Sequence, residues 1–159
     1  VNLKMMRNDK ENIIVTKTFE FALQIIEFTE NIFEQKKFSL ANQIFKSGTS
    51  IGANVREAQN AESKADFIHK MKISAKEADE TEYWLLLCKH SQHLSTPTDD
   101  FLQKLKEIQL ILSKIISTSW AVFSGMNPNS PFTRNGRFLI ILPESSAAKP
   151  NFSGAFLLA

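Results

Sequence analysis

The sequence SGTSIGANVREA at residues 47–58 places a cluster of small residues in the middle of a predicted helix. Ile51, Val55 and Ala58 recur at steps of four and three, which is the spacing of one face of an α-helix. Gly48 and Gly52 each cost a helix about 1 kcal/mol relative to alanine. A packing gain must offset this cost, so we expect a neighbouring helix to approach this segment closely.

Helical periodicity continues on both sides of this segment. We predict four helices, with approximate bounds 16–36, 39–60, 63–93 and 99–123. Ser39 is the expected N-cap of the second helix. Ser63, followed three residues later by Asp66, resembles a capping box and starts the third helix. Gly125 is a natural stop after the fourth helix.

Connections this short force consecutive helices to pack as antiparallel neighbours. The predicted fold is therefore an all-α, antiparallel up-and-down four-helix bundle. We divide the chain into an N-terminal extension at residues 1–15, the bundle at 16–124 and an irregular C-terminal tail at 125–159. The tail holds four of the five prolines and one apolar run at 138–142, for which we expect mostly irregular structure.

The first helix carries two apolar stripes side by side, which is wider than one bundle core usually demands. We assign one stripe to the core: Phe19, Ala22, Leu23, Ile26, Thr29 and Phe33. We assign the other stripe to an interface with a second subunit: Phe21, Ile25, Phe28 and Ile32. The second assignment predicts a homo-oligomer, because a continuous apolar strip is rarely left in water.

Composition excludes several classes of protein. Hydrophobic residues make up 43% of the chain and charged residues 23%, which is typical of a globular protein and of neither a disordered nor a membrane protein. The single cysteine, Cys88, cannot form an intramolecular disulfide and fits a reducing compartment. We therefore expect a soluble, cytoplasmic protein with no membrane partner.

No catalytic or metal-binding pattern stands out. His90 and His93 lie one helical turn apart near Cys88, but Cys88 should point elsewhere on the helix, so we predict no metal site. The acidic residues of the first and third helices read as solvated faces, because no pocket or phosphate loop is implied. We predict a protein that is not an enzyme and that needs no cofactor.

Basic residues concentrate in the first half of the third helix and extend to the second. The candidate nucleic-acid-binding residues are Lys46, Arg56, Lys64, Lys70, Lys72 and Lys76. This placement opposes the helix dipole, which favours bases late in a helix, so a binding function is one explanation. An ordinary solvated face with pairs such as Lys76 and Glu80 is the other. The body of the chain is neutral overall, which gives nucleic-acid binding little support.

Three segments together resemble a known family. These are residues 47–58, then Ala-Asp-Phe-Ile at 65–68, then AKEADETEYWL at 75–85. They are similar to the bacterial four helix bundle protein family, also called the 23S ribosomal RNA intervening-sequence proteins, over about Val15 to Phe123. The resemblance implies a four-helix bundle, ring-like homo-oligomers that are typically pentamers, and a relationship to the accessory variability protein of diversity-generating retroelements, which binds a reverse transcriptase and nucleic acid.

The resemblance also gives certain polar residues a structural role. The motif residues are Ser50, Asn54, Glu57, Asp66, Glu80 and Glu82. Asn54 is expected to satisfy polar groups at the bundle centre, and the acidic residues, with Arg56, to link the second and third helices.

Two functions follow as hypotheses. The first is a homo-oligomeric accessory factor that associates with RNA or DNA. The second is a scaffold that binds a protein, such as a reverse transcriptase, and no nucleic acid. Binding to RNA that weakens steeply with salt would separate them, since phosphate contacts release counterions.

Overall fold

The computed structural model describes residues 12–123, which form four α-helices. The helices are α1 (Ile13–Glu34), α2 (Phe38–Ala58), α3 (Lys64–His90) and α4 (Asp99–Phe123). Within this range there is no strand, which confirms the all-α prediction. None of these four helices is long and apolar enough to cross a membrane. The predicted tail at 125–159 and most of the predicted extension at 1–15 lie outside the described residues.

The helices pack in a closed ring of four neighbours: α1 contacts α2 and α4, and α3 contacts α2 and α4. Neighbouring helices in this ring run antiparallel to each other. In the α3–α4 pair, the end of α3 meets the start of α4 through an ion pair of Lys89 with Asp99 at 2.8 Å. Farther along, Lys72 near the start of α3 lies over the ring of Trp120 near the end of α4. The predicted up-and-down bundle is confirmed.

Of the two predicted N-caps, the one for α3 is correct and the one for α2 is not. Ser63 caps α3 as predicted, because its Oγ accepts a hydrogen bond from the backbone N–H of Asp66 at 3.1 Å. The prediction of Ser39 as the N-cap of α2 is wrong. Lys37 takes that position without a side-chain cap, because Lys36 has a φ of 59° and its left-handed conformation turns the chain early.

The two helical glycines lie where α2 approaches α1. A Cβ added at Gly48 would be 2.5 Å from Cδ1 of Ile25, and one added at Gly52 would be 3.3 Å from the carbonyl oxygen of Thr18. Larger side chains would hold the two helices apart. The close approach predicted from residues 47–58 is therefore confirmed, and the neighbouring helix is α1.

The core is formed by the other stripe of α1, not by the one predicted. Phe21, Ile25 and Ile32 are fully buried, and the Phe21 ring lies 5.0 Å from the Phe101 ring of α4. Phe28 is half-buried and packs against the core. These four residues were predicted to form the subunit interface, and the correction is that they pack inside their own chain.

Half of the stripe that was predicted to be core is exposed. Leu23, Ile26 and Phe33 are exposed, whereas Phe19 and Ala22 are half-buried. Thr29 alone of that set is fully buried. Periodicity shows that α1 has a wide apolar face, but the direction of the core depends on where α2 and α4 lie.

Small polar residues join α2 to α3 inside the core. Thr81 Oγ1 lies 3.0 Å from Ser47 Oγ, and Ser74 Oγ donates to the carbonyl oxygen of Ile51 at 2.9 Å. All these side chains are buried. Buried hydroxyls that find partners cost little and hold the two helices in one register.

Candidate interaction surfaces

Ten large apolar side chains are exposed among the described residues, and half of them lie on α1 and α2. They are Leu23, Ile26, Phe33, Phe38 and Phe45, with exposed fractions of 37–55%. Leu23 lines a pocket between α1 and α4, and we name the other four residues the α1–α2 strip. Ile26 and Phe33 are seven residues apart, as are Phe38 and Phe45, so each pair shares a helix face. The rings of Phe33 and Phe38 lie 6.0 Å apart. This ring contact joins the α1 part of the strip to the α2 part.

The other half lies on α3 and α4. They are Tyr83, Leu86, Leu87, Leu110 and Trp120. Leu110 and Trp120, which are 62% and 54% exposed, line a groove of about 760 Å³ between the two helices. We name it the α3–α4 groove. Ala75 and Ile116 also line it, so much of its wall is apolar.

Polar side chains cross this groove and fix its geometry. Gln109 Nε2 donates hydrogen bonds to Asp79 Oδ1 at 3.1 Å and Glu82 Oε2 at 2.8 Å. Lys72 Nζ lies 5.1 Å from the centre of the Trp120 ring, which is within reach of a cation–π interaction. The Gln109 amide and the Lys72 ammonium group therefore link α3 to α4 at two positions along the groove.

The strip and the groove lie on opposite sides of the bundle. Because α1 and α3 each contact only α2 and α4 among the described helices, the seam between α1 and α2 lies across the core from the seam between α3 and α4. A single contact between two copies therefore cannot cover both surfaces of one chain.

The six cations predicted to bind nucleic acid do not form one patch. Lys70 Nζ pairs with Glu57 Oε2 at 2.6 Å across the α2–α3 seam. Lys72 faces the α3–α4 groove, and Arg56 lines a notch between α1 and α2. Lys46 lies close enough to Glu77 to affect its pKa. These residues are distributed over three different seams.

Electrostatics at the α2–α3 seam are mixed. A hydrogen bond to Glu57, together with the charge of that carboxylate, raises the pKa of Lys70. Burial, and then the neighbouring Glu80, raise the pKa of Glu77, while Lys46 opposes the rise. The seam carries acids beside its bases, so it is not a strongly positive surface.

Two of the predicted cations do share a surface. Lys72 and Lys76 are exposed and lie four residues apart, which makes them neighbours on α3. Lys64 is exposed at the first turn of that helix. Lys72 also stands beside the exposed Trp120 indole, which brings a cation and an aromatic face together.

The motif residues carry out local structural tasks. Asn54 is half-buried, and its Nδ2 donates to the carbonyl oxygen of Ser50 in its own helix at 2.9 Å and not to groups at the bundle centre. Glu57 links α2 to α3 through Lys70. Glu82 instead links α3 to α4. The sequence pattern could not show which neighbour each side chain would reach.

The two remaining acidic motif residues stay within their own segment. Asp66 Oδ2 accepts a hydrogen bond from the backbone N–H of Glu62 at 3.3 Å, beside the α3 cap. Glu80 Oε1 accepts one from Trp84 Nε1 at 3.2 Å in the same helix. Neither hydrogen bond joins α2 to α3.

The three side chains considered as metal ligands, Cys88, His90 and His93, do not come together. Cys88 is fully buried, and burial raises the pKa of its thiol. His90 is exposed at the last residue of α3, and His93 is exposed in the connection that follows. Across residues 12–123, no three His, Cys, Asp or Glu side chains come together as a possible metal site.

Sequence reasoning missed the exposed apolar residues of α3 and α4. Leu110 lies two residues from both Ile108 and Leu112, which are buried. At 100° per residue, a position midway between two core residues of this kind points away from the core. That spacing was the available signal.

Comparison with known proteins gives matches that cover most of the bundle. The sequence profile described as 23S rRNA-intervening sequence protein matches residues 10–114. A solved structure of a protein of unknown function from the S23 ribosomal protein family of Bacteroides thetaiotaomicron is 43% identical. The match covers 68% of this chain and 98% of that one, with a TM-score of 0.63. No curated protein matches the chain.

Proposed function

The chain belongs to the 23S rRNA-intervening sequence protein family, and from this premise we propose that it is a non-enzymatic helical-bundle protein that assembles into homo-oligomers and associates with RNA. The observation that carries the proposal is the exposed apolar strip on α1 and α2, because an assembling protein must offer a surface that gains by leaving water.

The energetics of the α1–α2 strip favour assembly. A large apolar side chain contributes about 1.5–3 kcal/mol when fully buried. Covering the exposed third to half of the four side chains in the strip therefore contributes roughly 3–5 kcal/mol. Association costs about 4–15 kcal/mol in lost freedom. A contact that also buries apolar surface of the partner therefore offsets much of this cost.

The number of copies is proposed from the family resemblance alone, which suggests five. The apolar surfaces require a partner but do not count partners. Light scattering at micromolar concentration gives the mass. A mass of 18.0 kDa, that of one chain, would refute self-assembly. A dimer or tetramer would leave assembly standing and remove the number five.

Association with RNA is supported by the family and by the surface around Lys72. There, Lys76 lies one turn away and the Trp120 indole is exposed. Cations beside an exposed aromatic ring are a combination that binds single-stranded nucleic acid, because bases stack on the ring while phosphates meet the cations. A homo-oligomer repeats this set once per copy, which raises effective affinity although each chain is nearly neutral.

The absence of an enzymatic role is supported by the surroundings of Cys88, the one cysteine of the chain. Cys88 is enclosed by the core and has a raised pKa, so it remains a thiol at neutral pH and cannot reach a substrate. Asp79 and Glu82 are the acids in the α3–α4 groove, and both accept hydrogen bonds from Gln109. These hydrogen bonds link α3 to α4.

Binding of a fluorescent single-stranded RNA, measured across a salt series, tests the RNA association. We expect affinity to fall steeply as salt rises, since each phosphate contact releases counterions. A second candidate function, a scaffold for a protein such as a reverse transcriptase, is favoured by the neutralisation of Lys70 by Glu57. The absence of RNA binding at low salt would refute the first function and favour the second.

A further inference from the structure

We infer that the α3–α4 groove is covered by a segment of its own chain, the apolar run Phe-Leu-Ile-Ile-Leu at residues 138–142. We name this segment the tail run. It lies outside the described residues, so the inference rests on the groove and on the length of chain that reaches it. The inference goes beyond the proposed function, because the matched family profile ends before the tail.

The groove presents an apolar surface of the size that the tail run can cover. Leu110 is the most exposed of the ten large apolar side chains, and Trp120 is also more than half exposed. The two are about 15 Å apart along α4 at 1.5 Å per residue. Five residues of extended chain span at most about 16–18 Å. The tail run is therefore long enough to cover the apolar part of the groove.

The chain leaves the bundle at the Trp120 end of this groove. The last residue of α4 is Phe123, and Leu110 lies about 20 Å before it along the helix axis. Residues 124–137 join α4 to the tail run, and nine of these fourteen are Gly, Pro, Ser or Asn, which is typical of a connection. A chain of that length without fixed structure has an r.m.s. end-to-end distance of about 19–22 Å. The connection therefore matches the distance to the far end of the apolar surface.

This match in length favours the tail run over a ligand that is free in solution. A connection whose r.m.s. length equals the span gives the highest effective concentration, in the millimolar range for short linkers. At about 1 mM, a contact with a Kd of about 0.1 mM is occupied about nine-tenths of the time. The other apolar stretch of the tail, at residues 155–159, has a connection more than twice as long, so its effective concentration is lower.

The α1–α2 strip is a poorer site for the tail run, because the strip begins at the other end of the bundle. Gln35, just after α1, donates a hydrogen bond from Nε2 to Ser95 Oγ, just before α4, at 2.7 Å. The paired rings of Phe33 and Phe38 therefore lie near the start of α4. The chain leaves at the end of that helix, which is 25 residues long, or about 36 Å. Distance therefore selects the groove.

A docked tail run also affects the surface proposed to bind RNA. The run would cover Trp120, so the tail and RNA would compete for that side of the bundle. A groove that is open in about one chain in ten lowers the apparent affinity for RNA about tenfold. This consequence rests on the proposed function, whereas docking itself does not.

The first test is a cross-link between the groove and the tail run in the full chain. Leu110→Cys with Ile140→Cys, the groove pair, places one thiol in each, and a short thiol-reactive cross-linker joins thiols that lie close together. The control pair is Phe45→Cys with Ile140→Cys. Phe45 and Leu110 are both exposed and equally far from the ends of their helices, on opposite sides of the bundle. The native Cys88 is buried.

We expect the groove pair to be joined several-fold faster than the control pair, in a product that keeps the mass of one chain in denaturing electrophoresis. Equal rates for the two pairs would show that the tail run does not prefer the groove, and would overturn the inference. Links that form only between two chains would mean that the groove holds part of another copy, which would also overturn it.

The second test removes the apolar character of the tail run. Leu139→Ser with Ile140→Ser is the run variant. These residues are adjacent, so in an extended chain one of the two points towards the groove. Ala147→Ser with Ala148→Ser makes a matched change in the same tail outside the run. Both variants are made in the full chain, and circular dichroism checks that the helices are retained.

Fluorescence of Trp120 reports whether the groove is covered. The chain has two tryptophans, so Trp84→Phe in every sample leaves Trp120 as the only one. We expect the run variant to shift the emission to longer wavelength and to increase quenching by acrylamide, because loss of the cover exposes the indole to water. The matched control should be unchanged.

A run variant with the same emission and quenching as its parent would overturn the inference, since the cover of Trp120 would then not depend on the tail run. Neither measurement contains RNA or depends on the number of copies. Failure of this inference is therefore distinct from failure of the proposed function, which the salt series with RNA and the mass by light scattering decide.

Discussion

Replacing Gly48 with alanine tests the close packing of α2 on α1. The added Cβ would lie 2.5 Å from Cδ1, 2.6 Å from Cγ1 and 2.9 Å from Cγ2 of Ile25. Ile25 is fully buried, so it has little room to move away. Overpacking of this kind costs about 1–3 kcal/mol, and the higher helix propensity of alanine returns about 1 kcal/mol. We expect a net loss of about 0–2 kcal/mol in the free energy of unfolding.

Gly52→Ala is the matched control, because it makes the same chemical change four residues later. Its Cβ would be 3.3 Å from a backbone oxygen and 3.5 Å from the next atoms of Thr18, so a small shift suffices. The gain in propensity should make this variant neutral or stabilised by up to about 1 kcal/mol. Because the gain in helix propensity is common to both substitutions, they should differ by up to the overpacking cost at Gly48, about 1–3 kcal/mol.

Urea unfolding followed by circular dichroism, at one fixed protein concentration, gives both values. Adding Ile25→Ala to Gly48→Ala should cost less than the sum of the single changes, because the new methyl group then fills part of the cavity. If Gly48→Ala were at least as stable as Gly52→Ala, or if the double variant were additive, the packing argument would be refuted.

Three further predictions concern charge and metal. Burial and Glu80 raise the pKa of Glu77, so the folded state holds this proton more tightly than the unfolded state. The ionised carboxylate therefore lowers stability at neutral pH, and Glu77→Gln should raise the unfolding midpoint at pH 7. That advantage should shrink as the pH falls through the raised pKa towards the ordinary value of 4.5 and should be lost below it; an equal advantage at pH 3 would contradict it. Changing Lys72 and Lys76, the two exposed lysines beside Trp120, to glutamine should weaken RNA binding and flatten its salt dependence with little loss of stability. The same change at Lys36 and Lys37, which are distant from that surface, should not; equal affinities for the two variants at low salt would refute the site. Because Cys88 is buried away from the two histidines, zinc should not shift the melting temperature, and stabilisation by zinc would show that these side chains converge.

The α1 helix shows where reasoning from sequence fails. Both of its stripes keep the three-and-four spacing of a core face, and both are rich in Phe and Ile. Hydrophobicity therefore could not tell which stripe was buried. Contacts made by Ile25 with Gly48 and by Phe21 with Phe101 decide it, and both partners lie far along the chain.

The prediction that the basic residues form one surface was wrong for a related reason. Lys70 and Lys72 are adjacent in the sequence pattern, but two residues turn an α-helix through about 200°. One lysine therefore meets Glu57 of α2, and the other meets Trp120 of α4. A run of like charges in sequence becomes a single surface only when the helix positions agree.

The sequence by itself determined the four helices, the start of α3 at Ser63 and the need for close packing at Gly48 and Gly52, because capping, periodicity and the cost of glycine are local properties of the chain. Only the tertiary structure decided which stripe of α1 is buried and which neighbour each charged side chain meets. It alone placed the exposed strip and the groove on opposite sides, because these depend on the rotation of each helix about its axis, which is set by its partners in the bundle.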